Sequence, residues 1–196
     1  MMNRLFVLAL LGASLATPAF AQQGQQPQAP PTTSAFLRNM YNGNKNNIVR
    51  SAEKVPDDIY ALRPGPQMEV RTFGQHLQHV ANYNFLWCAQ AKSEKNPNTQ
   101  GNLEKVQMTR AEIQKTLADS FAYCDPVYAS LDDQNGAQVV EIQQENGRVT
   151  RNTRMALLML NVVHNNEIYG NLVTTMRIKS IVPPSSEPRP AQPAQR

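Results

Sequence analysis

The stretch that most constrains this chain is Met155 to Ser186, which reads MALLMLNVVHNNEIYGNLVTTMRIKSIVPPSS. It has the length and pattern of one long helix, ended by Pro183-Pro184, which cannot continue it. At about 100° per residue, Leu157, Leu160, His164, Ile168, Leu172 and Thr175 fall on one narrow face. Leu158, Val162, Val163, Tyr169, Val173 and Met176 cover most of the remainder. A helix that is apolar nearly all round is a buried one, so this segment is expected to be the central helix of a bundle. His164 lies on its most inward face, with Asn161 and Asn171 close to the same line. Buried polar groups take partners. That line therefore marks either a hydrogen-bonded core histidine or one wall of a site.

Three further helices precede it. Ser34 reads as the N-cap of the first, about Ala35 to Lys54, whose stripe is Phe36, Leu37, Met40, Tyr41 and Ile48. Its weakest part is Asn42 to Asn47, a poor helix former. The second runs from about Val70 to Lys92, with Val70, Phe73, Leu77, Val80, Asn84 and Cys88 on its main face and His76 at the edge. The third, about Thr109 to Leu131, opens with a Thr109–Glu112 capping box. It carries Ile113, Leu117, Phe121, Cys124 and Tyr128 as its stripe, and Pro126 should kink or interrupt it. Asp132 to Thr150 holds Val139-Val140-Glu141-Ile142 and an Asn146-Gly147 turn. A lone hairpin is marginal, so this segment reads as a long interhelical connection. Asn152 or Thr153 opens the last helix. Four helices without a convincing sheet give an all-α fold, a four-helix bundle over residues 34–184.

The ends belong to other categories. Residues 1–21 have the form of a signal peptide: Arg4, an apolar core from Leu5 to Leu11, and Ala19-Phe20-Ala21 as the cleavage motif. The expected mature protein starts at Gln22 and is secreted, into a periplasm if the source is bacterial. No later segment reaches the roughly 18 uninterrupted apolar residues of a membrane helix, so no membrane association is expected after cleavage. Residues 22–33 are a Gln/Pro-rich linker and 185–196 a Pro-rich tail expected to be disordered. The net charge of +4 is spread along the chain with no clustered basic face, which argues against nucleic acid as a partner. A homodimer suits a helical bundle.

Two cysteines in an exported chain most simply form one disulfide; the competing reading is a pair of buried free thiols. Cys88 ends the second helix and Cys124 lies in the second half of the third. Either these helices run nearly parallel, joined by a crossover, or the thiols remain apart.

The three histidines are His76, His79 and His164. Imidazoles on two inward helices are the minimum for a metal site in a bundle core, and neutral imidazole suits Zn, Ni, Fe and Cu. On pattern alone a hydrogen-bonded core histidine is the commoner outcome. No Ser/His/Asp order, phosphate loop, nucleotide fingerprint or H-E-x-x-H run is present.

Four blocks carry a resemblance. They are Phe73-Gly74 with His79 and Cys88; Ser120-Phe121-Ala122-Tyr123-Cys124-Asp125; His164-Asn165-Asn166-Glu167 with Tyr169-Gly170-Asn171-Leu172-Val173-Thr174; and Arg177-Ile178-Lys179 with Ile181-Val182-Pro183-Pro184-Ser185-Ser186. From about residue 34 to 187 the chain resembles the DinB-like family. The resemblance implies a bundle of up-down-down-up topology, in keeping with a crossover. It also implies a divalent metal such as Zn or Ni on three histidines, one from the second helix and an H-x-x-x-H pair from the last. His79 matches the first ligand and His164 the second, with His76 or Glu167 as substitutes for the third. The third position is Ile168, whose hydrocarbon side chain cannot donate a lone pair. Two functions follow as expectations. One is a binding or structural bundle for a small molecule, with a degenerate metal site. The other is a metal-dependent enzyme of thiol-transferase or hydrolase type using His79 and His164.

Overall fold

A computed structural model describes residues 31–144 and 146–188. Six α-helices and one hairpin follow in chain order. They are α1 (Thr33–Lys54), α2 (Asp57–Tyr60), α3 (Phe73–Lys92), α4 (Arg110–Ala129), α5 (Asp133–Gly136), β1 (Val139–Gln143), β2 (Val149–Thr153) and α6 (Arg154–Ile178). The four long helices form the bundle. Cross-contacts fix their directions. Asn44 on α1 donates to the Val162 carbonyl of α6, and Lys54 at the end of α1 reaches Val182 just beyond α6, so these two helices run together. Asn84 meets Ser120, and Cys88 meets Cys124, so α3 and α4 also run together. Tyr41 bonds Asp125 while Gln114 bonds the Ala52 carbonyl, which sets α4 antiparallel to α1. The topology is up-down-down-up, and residues 93–109 carry the chain back between the two parallel helices.

The disulfide joins Cys88 to Cys124 with Cα atoms 5.5 Å apart. Parallel helices bring the two positions level, which resolves the choice left open by the sequence.

Local chemistry explains the helix ends. Thr72 caps α3 in a reciprocal box with Gln75, so that helix starts at Phe73 rather than Val70. Thr109 and Glu112 form the expected box on α4, and Thr153 caps α6. The cap of α1 is Thr32 rather than Ser34, whose backbone N–H donates instead to Asp133 at 2.8 Å. The Asn-rich centre of α1 is unbroken, because Asn44 is buried and its amide is spent on the Val162 carbonyl at 2.9 Å. Pro126 does not interrupt α4; it forgoes one i→i−4 bond in the last turn, and the helix ends three residues later at Ala129.

Three expectations are corrected. The segment from Asp132 to Thr150, read as a long interhelical connection, contributes to a hairpin: β1 and β2 pair antiparallel from Val139↔Thr153 to Gln143↔Val149, with Val140 buried against the bundle. That packing supplies the support a free hairpin lacks. Nor is α6 buried all round. Met159, Leu160 and Val163 are exposed, at 46, 47 and 66 %, and the inward stripe runs through Leu157, Asn161, Asn165, Ile168, Leu172 and Thr175. Third, the tail does not begin at Ser185. Tyr169 donates to Ser185, and Glu187 pairs with Arg50 and with Lys54 at 2.7 Å. The signal segment, most of the Gln/Pro linker and residues 189–196 lie outside the described residues. Among the described residues no helix is long and apolar enough to cross a membrane.

Candidate functional site: an imidazole pair walled by aromatic rings

Polar groups at the centre of the bundle are tied to one another. Asn84 Oδ1 accepts from Asn161 Nδ2 at 2.8 Å and Asn165 Nδ2 at 2.9 Å, while its own amide donates to Ser120 at 3.1 Å. The Tyr128 hydroxyl donates to Asn161 Oδ1 at 2.8 Å. Asn84, Ser120, Asn161 and Asn165 have no exposed surface. This knot fixes the rotation of α3 against α6. Asn171 is exposed and takes no part, so only Asn161 of the expected polar line is in the core.

Fixing that rotation brings His79 and His164 together, with ring centroids 4.8 Å apart. Tyr83, one turn after His79, lies 4.7 Å from the His79 ring and 4.6 Å from the His164 ring. Trp87, one turn further, closes on His164 at 5.1 Å. The pair is thus walled by aromatic rings at van der Waals range. Both His164 nitrogens and Asn165 Oδ1 are buried without a hydrogen-bond partner. Burial, reinforced by His79 nearby, pushes the His164 imidazole down to about 4.

Glu104 completes the site, and the sequence gives little hint of it. It sits on a 3-10 turn, Leu103–Lys105, in the crossover between α3 and α4. Gln78 holds that turn by donating to the carbonyls of Leu103 and Val106 at 2.8 and 2.9 Å, and Asn82 accepts from the Leu103 N–H. Glu104 then bonds His79 Nδ1 with one oxygen and accepts from Arg71 Nε with the other at 2.5 Å. Burial alone would raise the Glu104 carboxyl; the bonds from Arg71 and His79 outweigh it and hold the group below its ordinary range. An open groove of about 890 Å³ is lined by Glu104 together with Gln75, Gln78, Lys105 and Thr109, and neither His79 nor His164 lines it.

His76 is buried, yet it stays out of the pair. Its Nδ1 has no partner, and burial, then the charges of Arg71 and His79, push its imidazole down to about 4. The helical wheel makes His76 the more inward of the two α3 histidines; both are buried, and His79 is the one that meets His164.

Residues 40–167 match the model of the DinB superfamily. The chain belongs to that superfamily. Thirteen solved chains match its fold. A DinB-like protein from Bacillus cereus shares 15% identity over 78% of this chain and 96% of its own, with a TM-score of 0.60. The DinB-like protein YjoA from Bacillus subtilis shares 17% over 79% and 99%, with a TM-score of 0.58. A mutant of a mycothiol-dependent maleylpyruvate isomerase shares 11% over 73% and 63%, with a TM-score of 0.53. At these identities the likeness is one of fold. No curated protein sequence matches the chain.

For a DinB superfamily member the question is whether the donors fit a metal. Catalytic zinc needs three protein ligands and an open position. His79 and His164 are two. The resemblance puts the third at Ile168, which is a core residue, while Glu167 is exposed and both cysteines are spent in the disulfide. Among the described residues no three His, Cys, Asp or Glu side chains are grouped to hold one ion. The residues do not fit a three-ligand centre.

Proposed function

We propose that this DinB superfamily member is an exported binding or structural bundle in which the metal centre has degenerated, and that it takes a small molecule rather than turning one over by metal catalysis. The observation that carries this reading is Ile168, a hydrocarbon buried in the core at the position of the third imidazole. The packing of His164 against Tyr83 and Trp87 supports it, because a ring held by aromatic contact serves the core without an ion. The groove that Glu104 helps line offers a place for a small molecule next to the residue that bonds His79. The N-terminal signal motif supports export.

The test is metal content after purification without chelator or affinity tag, followed by calorimetric titration with Zn²⁺ and Ni²⁺. The expected protein is empty and binds either ion weakly, whereas Ile168→His gains tight binding that depends on His79 and His164. A stoichiometric ion in the unaltered protein, lost in His164→Ala, would overturn the proposal. That result would favour the second reading, a divalent-metal enzyme of thiol-transferase or hydrolase type. One observation speaks for it: Glu104 holds His79 by Nδ1, as outer carboxylates hold metal-ligating histidines elsewhere.

A further inference from the structure

The outward face of α6 carries a second pattern, separate from the imidazole pair. Ala156, Met159, Val163, Glu167, Gly170, Thr174 and Arg177 follow one another at steps of three or four, within about 40° of a common line. All but Ala156 are exposed, Met159 and Val163 at 46 and 66 %. Gly170 is the informative member. It sits inside a 25-residue helix with nothing within 4 Å of where its Cβ would be. A glycine there weakens the helix and gains no contact within the chain; what it permits is close approach of another backbone.

We propose that this face is a self-association surface, on which α6 helices from two copies of the chain pack antiparallel with Val163 of each seated over Gly170 of the other. The register comes from the pattern. Antiparallel pairing centred between Asn166 and Glu167 sets Val163 against Gly170, Met159 against Thr174 and Ala156 against Arg177. Every large residue then meets a smaller one or an aliphatic stem. It also sets Glu167 beside an Asn166 amide able to donate to it. Parallel pairing would lay Val on Val, leave Gly170 facing Gly170, and oppose two Glu167 carboxylates. The antiparallel pair has the self-complementarity of a two-fold contact. The face is about 32 Å long and removes roughly 1,000 Å² in all, at the lower edge of specific interfaces. The dimer is therefore weak and concentration-dependent.

Sedimentation velocity of the purified chain over a hundredfold concentration range should show monomer passing to dimer, and Val163→Asp should abolish the dimer while leaving the helical circular dichroism unchanged. Gly170→Ala reads the geometry. It should raise the melting temperature of the dilute monomer yet weaken association several-fold. Introduced cysteines read the register, since the native pair is already consumed in a disulfide. Glu167→Cys should give a cross-linked dimer under mild oxidant, whereas Thr174→Cys should not. A single monomeric species at all concentrations would overturn the proposal, as would a dimer indifferent to Val163→Asp. Cross-linking through Thr174→Cys in place of Glu167→Cys would overturn the register.

Discussion

Mild acid should destabilise this protein through two imidazoles, the buried His76 and the half-buried His164. His76 and His164 sit near 4 in the folded chain against 6.5 when exposed, so both are neutral in the native state at neutral pH. The sign follows from proton uptake: below 6.5 the unfolded chain binds protons that the folded chain refuses. Their contribution is therefore full at neutral pH and above, falls as pH drops from about 6.5 to about 4, and levels off below. At pH 5 each histidine costs at most about 2 kcal/mol relative to neutrality, less for the half-buried and better-screened His164, so the two together remove up to roughly 4 kcal/mol from a stability of order 5–15 kcal/mol. The slope near pH 5 is roughly 2 kcal/mol per pH unit, and it is about halved when one of the two is replaced. Urea unfolding at pH 7.5, 6.0, 5.0 and 4.5 measures it, alongside His76→Phe and His164→Phe. A stability that is flat between pH 7.5 and 5, or an imidazole at residue 164 titrating near 6.5 by NMR, would refute the burial argument.

The core and its cross-link give two more expectations. Replacing both Cys88 and Cys124 by Ala releases a loop set by a separation of 36 residues. Loop-closure entropy puts the loss at about 4 kcal/mol, read by urea titration without reductant. Asn84→Leu strands the amides of Asn161 and Asn165 at once, while the Ser120 hydroxyl loses the Asn84 donor and keeps its own bond to the Leu117 carbonyl. It should cost roughly 3–5 kcal/mol, well beyond the cost of Ser120→Ala in the same titration. A loss below about 1 kcal/mol would mean that the knot is not a unit.

Much of the bundle was legible because its signals were periodic. The stripes of α3 and α4 from Phe73 to Cys88 and from Ile113 to Tyr128 are buried as their spacing indicates. The phase of α6 was harder to read, because Leu160 and Val163 are as apolar as Leu157 and Leu158 while facing outward; periodicity cannot orient a helix whose exposed side is also apolar. The buried polar residues Asn44 and Asn161 illustrate a different limit. Their partners lie across the bundle, so composition alone marks them as helix breakers or as anonymous polar positions. His164 was marked by its place on α6 and His79 by resemblance, whereas Glu104 was not marked at all, since it sits in an irregular segment and reaches a residue 25 positions earlier. No local pattern encodes that meeting. The hairpin was half visible in its Asn-Gly turn, and only its packing on the bundle, through Val140, decides that it forms.

Running two neighbouring helices in the same direction obliges the chain to climb back along the bundle, about 30 Å for a helix such as α3. That return strand passes the imidazoles and hands one of them a carboxylate. Descendants of this sequence are thus free to retune the chemistry at His79 by changing Glu104 alone, next to a Leu103 that stays buried against the bundle. A fold joined only by tight turns would have had to rebuild its core to do the same.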